Sequence, residues 1–172
     1  DHIIMECVEQ ELAPILANAF VFHLPTHVPA FHSYAIWKNS FAVQNYASCD
    51  YKFIGGSNIL AKDMRTHYPQ WNVNIFNCKP LSGSVCVGVG AGAGEHADTY
   101  TTHLYRKVLS HSYYHSVRDE RSKRYVEGVL GLKAINTGCV TMWTLTPDFC
   151  TQIPTKKAGN VVFTLTARAQ ID

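Results

Sequence analysis

Ile3, Ile4, Cys7, Val8, Leu12, Ile15 and Leu16 recur near a helical period, which predicts an amphipathic helix whose last turn Pro14 kinks or shortens. Residues 20–24, Phe-Val-Phe-His-Leu, form a short apolar run stopped by Pro25 and read as a strand. The aromatic-rich stretch 26–50 that follows holds one helix by its pattern, over 34–46. A strand at 51–54 then ends in Gly55-Gly56-Ser57, and the same grammar returns at 85–89, followed by glycines at 90, 92 and 94. A third strand, 115–117, runs into Arg118-Asp119-Glu120 and a charged helix reaching about Leu130, with Gly131 placed as a left-handed cap. Two more strands are expected at 133–135 and 161–165.

Strands that alternate with helices, and are themselves apolar and β-branched, predict a parallel sheet buried on both faces. The fold class is therefore α/β, a Rossmann-like parallel sheet with helices on both faces. Residues 154–160, Pro-Thr-Lys-Lys-Ala-Gly-Asn, read as a connection. The expected organisation is a Rossmann-like amino-terminal lobe over 1–158, with 159–172 as linker and first strand of a second lobe. In such sheets ligands bind beyond the carboxyl ends of the strands. Those ends carry Gly55 to Asn58, the glycine run from Gly88, Arg118-Asp119 and the loop 137–143.

Composition narrows the partners. A net charge of +2 on 172 residues is too small to mark a nucleic acid or an anionic membrane as the target. No apolar run approaches the roughly 18 residues of a membrane span. The opening residues lack the basic start and apolar core of a signal peptide, and the chain enters a helical pattern at once, so a trimmed start is expected. The six cysteines are dispersed without a C-x-x-C pair, which fits buried thiols in a reducing, cytoplasmic compartment.

Candidate chemistry is sparse. Glycines at strand ends let a backbone approach a ligand and offer N–H groups to anionic oxygens, although each is also an ordinary tight turn. The run Gly88-Val89-Gly90-Ala91-Gly92 matches a dinucleotide fingerprint loosely, and no acidic residue ends a strand about 20 residues on, so a nicotinamide cofactor is rejected. Arg118 can present a planar fork to a carboxylate or phosphate, or serve as a structural ion pair with Asp119. His111 with His115, and His23 with His27, stand four apart but lie in or beside strands, where that spacing does not converge on a metal. Arg121, Lys123 and Arg124 read as a solvated helix face. Neither a Ser-His-Asp arrangement nor paired carboxylates on one helix face are legible. No cofactor and no metal are expected.

Together these segments resemble the polysaccharide pyruvyl transferase family. The resemblance rests on Asp1-His2-Ile3-Ile4, Phe53-Ile54-Gly55-Gly56-Ser57 and Val87-Gly88-Val89-Gly90. Its most specific pieces are Ser116-Val117-Arg118-Asp119-Glu120 and Thr137-Gly138-Cys139-Val140-Thr141-Met142-Trp143, where Val140 replaces a common proline. The resemblance implies one lobe of a two-lobed, glycosyltransferase-B-type fold, and transfer of pyruvate from phosphoenolpyruvate to a sugar of a surface-glycan precursor, forming a ketal. It implies Asp1, Gly55, Gly56, Ser57, Gly88, Gly90, Arg118 and Thr141 as substrate-binding positions, with Arg118 gripping an anion. The family's catalytic histidine belongs to the second lobe, so this chain alone is expected to be inactive. The implied partners are phosphoenolpyruvate and a glycan acceptor, with a homo-oligomer left open. Two other readings stand beside this one: a non-catalytic binding or assembly module of the same fold, and a nucleotide-sugar glycosyltransferase. A native mass about twice that of this chain would favour the enzyme.

Overall fold

The computed structural model describes residues 2–65, 70–92, 96–156 and 159–160. The first helix, α1, spans His2–Leu16. Pro14 does not end it, because only the hydrogen bond its nitrogen would donate is lost, and Ala17 N–H still donates to the Ala13 carbonyl at 2.9 Å. The single helix expected over 34–46 is instead two, α2 (Ser33–Trp37) and α3 (Phe41–Ala47). Asn39 takes a left-handed φ of 49° between them, and the Ser40 hydroxyl then caps α3 by accepting from Val43 N–H.

Strand β1 (Phe53–Gly55) pairs in parallel with β2 (Val85–Val87), Ile54 opposite Cys86. Strand β3 (His115–Val117) pairs in parallel with β4 (Ala134–Asn136), Ser116 opposite Ile135. Between β2 and β3 lies α4 (Thr99–Val108), which the pattern reading did not place. Its signals were there: Asp98 caps it by accepting from Thr101 N–H at 2.6 Å, and Leu104, Tyr105 and Val108 line one fully buried stripe. After β3, α5 (Glu120–Arg124) runs into a π-helical turn over Tyr125–Val129. Gly131 ends that helix in the left-handed conformation expected of it, at φ 67°. Arg106 of α4 then ties down the exposed helix end by donating to the Leu130 carbonyl at 2.8 Å. A short 3-10 turn, Val140–Met142, and α6 (Pro147–Thr151) follow.

The two sheets meet through Val89 and Val117, which form a parallel bridge. Alongside it, side chains take the place of ladder carbonyls. The Cys86 N–H donates to His115 Nδ1 at 3.1 Å, and the Gly88 N–H donates to Ser116 Oγ at 2.9 Å. Alternation sorts the strands onto two faces. Ile54, Cys86 and Val117 enter the main core with Leu104 and Val126, under α4 and α5. Val87 turns the other way and packs with Cys7, Val8 and Val140 against α1. Helices thus cover both faces of small parallel sheets.

Residues 20–24 do not form the strand expected of them. They carry no regular secondary structure and pair with no strand among the described residues, with Phe20 81% exposed. Aromatic contacts hold part of this stretch, such as Phe22 with Tyr46 at 4.9 Å between ring centroids. An extended segment becomes a strand only with a neighbouring ladder, and none lies beside this one among the described residues. The expected strand 161–165 lies outside the described residues.

His115 is fully buried. Its Nδ1 accepts from a backbone N–H, so Nε2 carries the proton and donates to the Ser110 carbonyl at 2.9 Å. Burial is the main force holding this imidazole below its usual 6.5, with His111 adding to it and the Ser110 bond opposing. The unfolded chain therefore binds this proton more readily. Its contribution to stability is present in full above about pH 6.5 and is lost as pH falls through the lower folded value. Denaturant midpoints measured from pH 7.5 down to pH 5 should fall, and the fall should flatten when His115 is replaced by Gln.

Candidate functional site

The carboxyl ends of β1 and β2, and the start of α5, converge on one guanidinium. Arg118 leaves β3 directly, and its own N–H donates to the Val89 carbonyl at 2.9 Å, which fixes the root of the side chain. Its Nη2 donates to Asn58 Oδ1 at 2.6 Å, and its Nε lies 3.7 Å from Asp119 Oδ2. The side chain remains about one-third exposed. Gly90 lies beneath the Arg118–Asn58 pair. A Cβ on Gly90 would stand 2.6 Å from Arg118 Nε and 2.9 Å from its Cζ, so glycine is the residue that leaves room for this arrangement.

Asp119 does not compete for the guanidinium with both oxygens. It caps α5 by accepting from Ser122 N–H at 2.7 Å. Burial pushes its carboxyl up, but the Ser122 N–H and hydroxyl, Arg118 and the Arg121 N–H together outweigh that and hold it below 3.8. Arg118 thus has one short neutral partner and one looser anionic one, leaving donor capacity for a further group.

The glycine run contributes in a different way from that expected. The N–H groups of residues 88–92 are each engaged within the protein: Gly88 with Ser116 Oγ, Val89 with the Ser116 carbonyl, Gly90 with the Ser57 carbonyl, Ala91 with Ser122 Oγ and Gly92 with the Leu60 carbonyl. The loop is a knotted floor, and contacts to an anion there fall to side chains. Gly88 takes φ 61° directly against Val140, which brings the 137–143 loop down onto β2.

That loop lies beside the same strand ends. Ser116 Oγ and Thr137 Oγ1 share a hydrogen bond at 2.6 Å, and Trp143 Nε1 donates to the Thr137 carbonyl at 2.8 Å. Thr141 Oγ1 meets Cys139 Sγ at 3.2 Å. That hydroxyl bond is the main reason the Cys139 thiol sits below 9.0, with burial opposing it and the Thr141 N–H and Arg118 adding to it.

Of the expected positions, Gly90 stands directly at Arg118 and the Ser57 carbonyl accepts from the Gly90 N–H, with Gly55, Gly56 and Gly88 in the adjoining strand ends. Thr141 belongs to the covering loop. Asp1 and Gly94 lie outside the described residues. Asn58 was visible at a strand end, but its role as the short partner of Arg118, 60 residues away, was not. Gln70, which accepts from Ser57 Oγ at 2.7 Å, was not anticipated at all. His111 binds the Arg106 carbonyl, whereas His115 points into the core. A cavity of about 700 Å3 lies elsewhere, between α1, residues 18–30 and β1, and Arg118 does not line it. We place the candidate chemistry at Arg118, because polar side chains converge there whereas that cavity is mostly apolar.

These features define a mixed α/β domain on small parallel sheets, with its polar side chains gathered around an arginine at the strand ends. The chain belongs to the polysaccharide pyruvyl transferase family, whose family model matches residues 1–171. No curated protein and no solved structure matches it. No helix among the described residues is long and apolar enough to cross a membrane.

The Gly90 floor makes a sharp test. Gly90→Ala should drive Arg118 and Asn58 apart while leaving the melting temperature within a few degrees, since the obstructed atoms end side chains rather than backbone. Binding of a phosphate or carboxylate anion at Arg118, followed by titration calorimetry, should weaken about tenfold, the loss of one charge-assisted hydrogen bond. Unchanged affinity would remove Gly90 from the site.

Proposed function

We propose that this chain forms the donor-binding part of a pyruvyl transferase that moves the enolpyruvyl unit of phosphoenolpyruvate onto a sugar of a surface-glycan precursor. The observation that carries the reading is Arg118, rooted on Val89, steered by Asn58 and given room by Gly90. Phosphoenolpyruvate carries a carboxylate and a phosphate, and a planar guanidinium meets either through two parallel bonds. In the overall reaction two sugar hydroxyls add to the central carbon of the donor, the methylene carbon gains one proton, and the phosphate departs with the other. Arg118 stabilises the charge that builds on the leaving oxygen or holds the carboxylate in place. By the family resemblance, Ser57, Thr141, Asp1, Gly55, Gly56 and Gly88 contribute the remaining donor contacts. The acid and base that move the protons are supplied by the second lobe of a two-lobed enzyme, in the cytoplasm where phosphoenolpyruvate is made.

The test uses the full-length enzyme, phosphoenolpyruvate and a panel of glycan precursors. The expected result is phosphate release that depends on the acceptor, with a ketal in the product mass. Turnover of a nucleotide sugar with phosphoenolpyruvate left intact would replace this reading with a glycosyltransferase.

A further inference from the structure

We propose that Gln70 is a positioning residue for Arg118, acting through Ser57 and the Asn58 side chain that holds the guanidinium. The role rests on the reading of Arg118 as the group that grips an anion. It is built from one short turn. Gly56 and Ser57 stand at φ 74° and 48°, two left-handed residues in succession, and they reverse the chain as it leaves β1. Glycine takes that region freely, whereas a serine there is strained and must be held. Asn58 comes next, and the direction of its side chain follows from how Ser57 is turned.

Two contacts hold Ser57, on opposite sides of its Cα. Its carbonyl accepts from Gly90 N–H at 2.7 Å, which fixes the peptide leading into Asn58. Its hydroxyl donates to Gln70 Oε1 at 2.7 Å. That second bond fixes the Cα–Cβ direction, which turns with φ, so the left-handed state is braced from both ends.

Beyond Asn58 the chain is clamped again. Leu60 N–H donates to the Gly90 carbonyl at 3.2 Å. The buried Tyr105 hydroxyl is shared between the Ile59 and Ala61 carbonyls, at 3.3 and 3.0 Å. Tyr105 also stacks on Trp71, the residue after Gln70, at 6.4 Å between ring centroids. Trp71 is buried, so the exposed Gln70 side chain springs from a backbone anchored in the core. One aromatic pair thus sets both the far end of the turn and the strut at its near end. Asn58 is the exposed apex between them, and its Oδ1 takes the 2.6 Å bond from Arg118 Nη2. With Ser57 slack, Asn58 swings away and Arg118 keeps only its looser contact with Asp119, at 3.7 Å.

The test reads Arg118 directly and then through an anion, in the full-length protein. By NMR, Gln70→Ala should speed solvent exchange of the Arg118 guanidinium protons about fivefold, the share of one neutral hydrogen bond. Affinity for phosphoenolpyruvate, measured by calorimetry, should fall by a similar factor, with melting temperature moving by less than about 2 °C. Ser57→Gly separates positioning from direct contact. Glycine keeps φ 48° without a strut, so adding Gln70→Ala to it should change neither readout further. An equal loss in both backgrounds would make Gln70 a ligand contact and overturn the proposal, as would unchanged guanidinium exchange in Gln70→Ala. Arg118→Ala distinguishes the two levels of the argument. If it binds phosphoenolpyruvate as wild type does, the anion reading fails and the positioning role with it. If it binds weakly while Gln70→Ala binds normally, the positioning role alone is wrong.

Discussion

On the proposed function, Arg118→Lys in the full-length enzyme should lower kcat/KM for phosphoenolpyruvate by roughly ten- to a hundredfold, the worth of about 1.5–3 kcal/mol for a charge-assisted hydrogen bond. Lysine keeps the charge but loses the fork that reaches Asn58 and a bound anion together. The backbone bond from residue 118 to the Val89 carbonyl survives the change, and the side chain is already partly in water. Melting temperature should therefore move little. The opposite pattern, a lower melting temperature with unaltered kinetics, would make Arg118 a structural ion pair of Asp119 and sink its role in binding. Circular dichroism and coupled phosphate release on one preparation separate the two outcomes.

His115→Ala should cause the larger stability loss. The substitution empties a fully buried site and strands the Cys86 N–H and the Ser110 carbonyl without partners. Each unsatisfied buried group costs about 1–3 kcal/mol, so about 3–5 kcal/mol in total is expected with the cavity included. At about 2–4 °C per kcal/mol for a domain of this size, melting should fall by roughly 6–20 °C. Gln at the same position can restore one bond and should recover part of the loss. A drop of less than about 2 °C for His115→Ala would mean that the seam between the two sheets is held by the Val89–Val117 bridge and the Gly88–Ser116 bond without need of the imidazole.

The strands legible in the sequence were those whose neighbours are fixed by their own apolar patterning. Residues 53–55, 85–87 and 115–117 all fall within runs that carry apolar or β-branched residues and end in a turn or a charged helix start. Residues 20–24 read equally well as a strand and are not one, because pairing is a property of two segments and the pattern describes only one. Helix α4 went unplaced for another reason. Thr99, Thr101, Thr102 and His103 dilute its apolar stripe directly behind the glycine run. The break at Asn39 turned one expected helix into two through a single left-handed residue.

At the site, the convergence of the Gly55, Gly88 and Arg118 segments followed from parallel topology, which sends all strand ends to one side. The partners of Arg118 did not follow. Asn58 reaches it across 60 positions of sequence, and Gln70 reaches Ser57 from an irregular stretch with no motif of its own. Nor did the pattern show that Ser116 and Ser122, two small hydroxyls on neighbouring elements, claim the Gly88 and Ala91 N–H groups.

That closed set of five backbone bonds also bears on how the surface can change over time. Ordering a residue's backbone costs about 1–2 kcal/mol, and here the cost is met during folding rather than on ligand arrival. A floor already set in place leaves recognition to side chains projecting over it, which can be exchanged one at a time. Residues 88–92 should therefore resist insertion and deletion, while positions such as 58, 70 and 141 accept replacement and redirect the chemistry that the same scaffold presents.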